Sequence, residues 1–344
     1  MSGASLSNPE NLAVIFGCSG TALTAAECDF FRDSDPLGFI LFQRNCESPE
    51  QVRKLVADLR ASIGRADAPV LIDQEGGRVA RLKPPHWPAY PAPAALAALG
   101  GVSAEEAVRL GARLIADDLG ALGITVDCVP VLDIPVPGAD AVIGDRAYGD
   151  SPGAVAMLGR AAAEGLLEGG VLPVMKHIPG HGRGTVDSHH ALPIVSAPRE
   201  FLESTDFAPF QALADLPWAM TAHIVYAAID DRRPATLSPA VIAQVIRAGI
   251  GFDGVLVSDD LSMRALGGSF AERAAGALDA GCDVILHCNG NMSEMIEIAH
   301  AARPLTAAAR QRIERAEARR RGAARPFDRS ATEARFRALL AGEA

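Results

Sequence analysis

Fifteen residues near the middle of the chain, Lys176 to His190 (KHIPGHGRGTVDSHH), hold a lysine, four histidines, an aspartate and three glycines behind the apolar run Val171–Met175. A run of that kind followed by Gly and Pro predicts a buried strand opening into a loop. A loop that only connects needs no such density of titratable groups, and loops on rigid scaffolds are where catalytic side chains concentrate. A second candidate is Ser258-Asp259-Asp260, where an apolar strand ends in two adjacent carboxylates that require a partner or a task. A carboxylate on a rigid strand end and an imidazole that exchanges protons near neutrality are what nucleophilic and general acid–base chemistry need. Asp187 and His189 lie beyond the glycines of that loop.

Such groups need a scaffold that brings them together. Eight apolar runs recur, each the length of a strand: Leu12–Phe16, Gly38–Phe42, Val70–Asp73, Ile124–Val131, Val171–Met175, Trp218–His223, Val255–Asp259 and Asp283–His287. Helical patterns lie between most of them. Ser48-Pro49-Glu50-Gln51 and Ser103-Ala104-Glu105-Glu106 read as capped helix starts, and Ser151-Pro152 and Ser238-Pro239 open two more. Strands apolar on both faces and alternating with helices predict a parallel sheet covered on both sides. Eight units fit one (β/α)8 TIM-type barrel spanning residues 1–344 as a single domain, with a helical tail from Leu305. An open doubly wound sheet is the alternative, but Gly17-Cys18-Ser19-Gly20 after the first run is not a dinucleotide-binding turn. Arg319-Arg320-Arg321 reads as the solvated face of the tail helix.

In such a barrel the site forms where strands end. The ends supply Asp73 and Arg81, Asp127 and Asp133, Arg146, Lys176-His177, His223, Asp259-Asp260 and His287. Carboxylates, arginines and a lysine converging on one rim suit a hydroxyl-rich ligand. Plainer readings stand beside these. Asp73 and Arg81 could be an ion pair holding their loop, Arg146 could bond the carbonyls of its turn, and Asp127 and Asp133 could cap backbone groups. His223 and His287 read better as structural histidines. Asp259 and Asp260 should point to opposite faces of their strand, so that only one can act. Gly180, Gly182 and Gly184 should let the long loop close over a ligand.

A formal charge of −10, from 32 basic and 42 acidic residues, argues against a nucleic-acid surface. Met1 to Leu12 lacks the basic residues and apolar stretch expected of a signal peptide, and no run reaches membrane-spanning length. Six scattered cysteines without C-x-x-C spacing read as buried thiols of a reducing compartment, so a cytoplasmic protein, monomeric and without membrane partner, is expected.

The ordered motifs K-H-[apolar]-P-G-H-G, four residues, then D-S-H, with Asp73-Gln74-Glu75-Gly76-Gly77 and Ser258-Asp259-Asp260-Leu261-Ser262-Met263, resemble the family 3 glycoside hydrolases, in particular their single-domain bacterial β-N-acetylglucosaminidases of peptidoglycan recycling. The resemblance implies Asp259 as nucleophile, His189 as proton donor and acceptor with Asp187 orienting it, and Asp73, Arg81, Arg146, Lys176 and His177 as the grip on an N-acetylglucosamine ring. It implies a small carbohydrate or muropeptide substrate and no cofactor or metal. Larger members carry a second α/β domain for which this chain is too short, and that favours the N-acetylhexosaminidase branch. Ile178 and Ala147-Tyr148 depart from the usual residues but stay apolar. The residues leave two rivals: a metal-dependent barrel hydrolase using His177, His181, Asp187 and His189, and a silent sugar-binding protein, which would need neither Asp259 nor the Asp187–His189 pair.

Overall fold

Parallel pairing starts at the first apolar run and continues around a full circle. The computed structural model describes residues 11–343; residues 1–10, most of the stretch in which the sequence offers no leader pattern, lie outside the described residues. Among the described residues eight strands close a barrel: β1 (Leu12–Phe16), β2 (Pro36–Leu41), β3 (Val70–Ile72), β4 (Val126–Asp127), β5 (Leu172–Ile178), β6 (Trp218–Thr221), β7 (Val255–Asp260) and β8 (Val284–His287). β8 closes onto β1 with Val14 opposite Ile285 and Phe16 opposite His287. This is the (β/α)8 barrel the alternation predicts. Every residue of β2 and β5 is buried, because one face fills the barrel and the other meets helices.

The strand limits differ from the apolar runs where chemistry intervenes. The fourth run is expected over Ile124–Val131, but its ladder is only Val126–Asp127. Pro130 lacks the N–H a ladder needs, and Val131 rejoins only as a single bridge to Lys176. β5 instead outlasts its apolar run and carries Lys176 and His177 on the strand itself. The register slips between Lys176 and Ile178, the kind of irregularity that re-aims side chains at a barrel rim.

Ser48 caps its helix, Pro49–Ser62, by accepting the Gln51 N–H, and Ser238 accepts the Val241 N–H ahead of the helix Val241–Gly249. Ser103 is not a cap. The helix begins at Gly101, after Gly100 and Gly101 turn the chain at φ 74° and 51°, so Ser103 lies inside the first turn.

The tail forms helices Ala307–Ala323 and Arg329–Ala341. The arginine run is not simply solvated, which corrects the expectation above. Arg312 bonds Asp283 at 2.8 Å, Arg315 bonds Asp253 at 2.8 Å, Arg319 reaches Asp215 at 3.1 Å and Arg320 donates to the Gly170 carbonyl at 3.1 Å. Those partners lie just before β8, β7, β6 and β5, so the helix straps the barrel's base and leaves the opposite rim free for the loops. Among the described residues no helix is long and apolar enough to cross a membrane. All six cysteines are free.

Candidate active site

The strand ends open into a cavity of about 470 Å³ whose wall includes all eight residues expected at the site: Asp73, Arg81, Arg146, Lys176, His177, Asp187, His189 and Asp259. Five of its charges alternate in a chain. Arg81 Nη2 lies 2.9 Å from Asp73 Oδ2, Lys176 Nζ 2.8 Å from Asp73 Oδ1 and 2.7 Å from Glu75 Oε1, and Arg146 grips Glu75 with two bonds of 2.8 Å. Burial would raise the pKa of Asp73 and Glu75, but Lys176 with Arg81 beside the first and Lys176 with Arg146 beside the second outweigh it and hold both below the carboxylate range. Burial likewise opposes the charge on Lys176, and the two carboxylates more than restore it, raising its pKa. A buried chain of donors and acceptors with fixed charge is suited to gripping several hydroxyls at once. The ion pair and turn-carbonyl readings also hold in part, since Arg81 does pair with Asp73 and Arg146 does bond the Val142 carbonyl at 3.2 Å.

Asp133 orders the next side of the cavity. Its Oδ2 lies 2.6 Å from His177 Nδ1, while Oδ1 accepts the backbone N–H groups of His177 and His181. A carboxylate on Nδ1 holds the proton there and leaves Nε2 of His177 as the free ring atom. Asp127 plays the capping part, accepting the Gln74 N–H at 2.9 Å, but its other oxygen has no partner among the described residues. Burial pushes its pKa up to about 8. Its folded value exceeds the unfolded one, so ionisation of the unfolded chain costs stability progressively from about pH 4 up to about pH 8. Asp127→Asn should therefore match the parent near pH 4 and gain about 1–3 kcal/mol at pH 8, the scale for an ill-satisfied buried polar group, as denaturant titrations at the two pH values would measure. A constant difference across that range would contradict it.

Asp259 and Asp260 both border the cavity, so opposite faces do not separate them. Hydrogen bonding does. Asp260 spends its carboxylate on the Ser262 N–H, the Cys288 N–H and the Ser262 hydroxyl. Among the described residues Asp259 accepts only the Asp260 N–H, through Oδ1 at 2.8 Å, which leaves Oδ2 for a ligand. Burial would raise the Asp259 pKa, but the His177 and His223 rings and that N–H outweigh it and keep the carboxylate ionised. The pKa of His223 is itself pushed down by burial. It is a structural histidine, as expected, bonded to Thr236 at 2.7 Å and the Asp260 carbonyl at 3.0 Å.

The loop after β5 has two parts. Its glycine half is tied down, contrary to the expectation of mobility: Gly182 and Gly184 accept N–H bonds from Val136 and Asp140, and a Cβ on Gly182 would stand 1.8 Å from the Ile134 carbonyl oxygen. Here glycine allows two backbones to touch rather than a hinge to move. The second half carries the pair: His189 Nδ1 lies 2.7 Å from Asp187 Oδ1, which also accepts the His189 N–H at 2.9 Å. Burial opposes the Asp187 charge, but the bonds and charge of His189 together outweigh it and lower its pKa. The four residues considered for a metal do not converge, since three rings turn to Asp133, Ser188 and Asp187, and among the described residues no three such side chains are placed to share an ion.

The family 3 glycosyl hydrolase N-terminal domain profile matches residues 26–320. The chain belongs to that family. A β-hexosaminidase of Alkalilimnicola ehrlichii is 40% identical over 283 residues, covering 80% of each chain, and one from Pseudomonas aeruginosa is 37% identical over 290 residues, covering 83% of this chain and 85% of its own. The crystal structure of NagZ from Neisseria gonorrhoeae in complex with N-trifluoroacetyl-D-glucosamine superposes with a TM-score of 0.83 at 32% identity, covering 98% of both chains. Within this family 3 barrel, the site also includes Glu75 and Ser188, which the sequence motifs do not single out, and His181, which they suggest only as a metal ligand. Glu75 could have been suspected from a carboxylate set between Asp73 and two glycines. Asp133, a rim carboxylate with a backbone cap as its plainer reading, instead orients the His177 ring.

Proposed function

We propose that the chain is a retaining exo-β-N-acetylglucosaminidase that removes terminal N-acetylglucosamine from peptidoglycan fragments through a covalent glycosyl-enzyme on Asp259. Glycoside hydrolase activity of the β-N-acetylhexosaminidase type follows from the family and its β-hexosaminidase relatives. The finer reading is carried by one observation: an ionised, half-free carboxylate, Asp259, shares a cavity wall with the Asp187–His189 pair. His189 would protonate the glycosidic oxygen while Asp259 Oδ2 bonds the anomeric carbon and the aglycone leaves as an alcohol. Water, giving its proton to His189, would then open the glycosyl ester and restore the Asp259 carboxylate. Asp73, Arg81, Arg146, Lys176 and His177 would hold the sugar hydroxyls and acetamido group. The ligand of the Neisseria gonorrhoeae protein, an N-acylated glucosamine, supports that class of sugar. Six free thiols fit a cytoplasmic setting, and the aglycone expected from the resemblance is anhydro-N-acetylmuramic acid with or without its peptide. Release of N-acetylglucosamine from that disaccharide by the pure protein tests the reading, and failure on it with turnover of chitobiose would overturn the aglycone.

The grip has its own test. Lys176→Ala should lower kcat/KM by about 2–4 kcal/mol of transition-state binding, the scale for removing one partner of a charged hydrogen-bonded pair. It should also destabilise the fold, because Asp73 and Glu75 lose their shared cation. Unchanged kinetics in a destabilised protein would make Lys176 a purely structural cation.

A further inference from the structure

The stretch Thr185–Ala191 carries the Asp187–His189 pair, and in it only Ser188 is buried, at 2% exposure, whereas the neighbouring His189 side chain is 61% exposed. The Ser188 hydroxyl lies 3.0 Å from His181 Nε2. Its carbonyl accepts the Ala265 N–H at 3.2 Å, from the loop that leaves β7 just after Asp259. The serine is thus pinned on one side to the loop of β5 and on the other to the loop of the nucleophile's strand.

His181 is firmly placed to act as that pin. Its backbone N–H bonds Asp133 Oδ1 at 2.6 Å, and its ring stands edge-on to His177 with centroids 5.6 Å apart. The Gly184 backbone closes over the ring, where even a Cβ would come within 3.3 Å of Cε1. Burial, reinforced by His177, pushes the His181 pKa down to about 4, so the ring is neutral near pH 7 and brings no second cation beside His189. On the other side of the pin, the turn is closed on itself. The Asp187 carbonyl accepts the N–H groups of His190 and Ala191, and its carboxylate holds His189. Loss of the pin would leave the geometry within the Asp187–His189 pair intact and change where the pair stands relative to Asp259.

We propose that His181 and Ser188 are positioning residues that set the Asp187–His189 turn against the nucleophile by the bond between His181 Nε2 and the Ser188 hydroxyl. The inference rests on His189 being the acid/base. A pin of this kind serves proton delivery to the leaving oxygen and leaves the sugar grip alone.

The test is the dependence of kcat/KM on leaving-group pKa across a series of aryl N-acetyl-β-glucosaminides, from dinitrophenyl to phenyl. Ser188→Ala should lose about tenfold on the poorest leaving group, within the range up to ~10²-fold for small misplacements of reacting groups, and less than about twofold on the best, so that the dependence steepens. Ser188→Thr, which keeps the hydroxyl, should restore the parent slope, and His181→Gln, which offers an amide nitrogen near the place of Nε2, should lie between parent and Ser188→Ala. An equal loss across the series, or none, overturns the pin. If His189→Ala steepens the slope while Ser188→Ala does not, the pin alone falls. If His189→Ala leaves the slope flat, the acid/base assignment falls and the pin with it. Should the His181 variant fail to fold, the two Ser188 variants decide the matter.

Discussion

Replacing Asp259 with alanine should cut kcat/KM by about 10⁴-fold or more, the scale for deleting a nucleophile from a preorganised site, without lowering the melting temperature. The two halves of that expectation have separate causes. Catalysis fails because the other carboxylates described around the cavity already have tasks, Asp187 holding the His189 ring and N–H through Oδ1. Asp73 and Glu75 are bound up with Lys176, Arg81 and Arg146, and Asp260 is saturated by the Ser262 and Cys288 N–H groups and the Ser262 hydroxyl. Stability survives because, among the described residues, Asp259 takes only one direct hydrogen bond, from the Asp260 N–H, so the fold loses little bonding with it. A variant that loses activity only in step with its melting temperature would instead make Asp259 a structural residue. Asp260→Ala should behave in the opposite way, losing stability first, because it strips two backbone N–H groups of their acceptor.

His189→Ala should be the second largest effect, and it should depend on the substrate. An N-acetylglucosaminyl-muramic disaccharide leaves as an alkoxide and needs a proton, whereas a nitrophenolate hardly does. The loss should be about 10²–10⁴-fold on the disaccharide, the usual worth of general acid catalysis, and much smaller in the glycosylation step of the aryl substrate. Deglycosylation needs the same imidazole as base, so the aryl substrate should show a burst followed by slow turnover. Asp187→Ala should give a milder form of the pattern, since the imidazole remains but loses the carboxylate 2.7 Å from its Nδ1. Rapid-quench kinetics on both substrates checks this. Equal losses on both substrates in both steps would reduce His189 to a binding residue.

The barrel could be read from the sequence because its strands are apolar on both faces and its helices begin at serines and prolines, signals that act within a few residues. Lys176, His177 and Asp259 were legible for the same reason, since each sits where an apolar run gives way to polar groups, whereas Asp187 and His189 stand out by the density of titratable groups in their loop and by the D-S-H motif. Glu75 and Asp133 were harder to assign, because their value lies in partners distant in sequence. Glu75 meets Lys176 and Arg146 only once β3, β4 and β5 stand side by side, and Asp133 meets the His177 ring only across the β4 and β5 loops. The Arg319–Arg321 run was misread on similar grounds, since a charged helix face looks solvated until Asp215 and the Gly170 carbonyl are found beneath it. The glycines of the long loop carried the opposite error. Gly182 was credited with freedom, yet what it supplies is the absence of a Cβ against Ile134. Spacing along a chain reports local conformation well and close approach between segments poorly.

A covalent bond from Asp259 to the sugar is tested most directly by peptide mass mapping after incubation with a 2-fluoro sugar inactivator. Such an inactivator lacks the acetamido group that could otherwise attack the anomeric carbon in place of the protein. A single glycosyl ester on Asp259 is expected, formed in step with loss of activity and absent from Asp259→Ala. A label on Asp260, or inactivation with no ester on either aspartate, would contradict it.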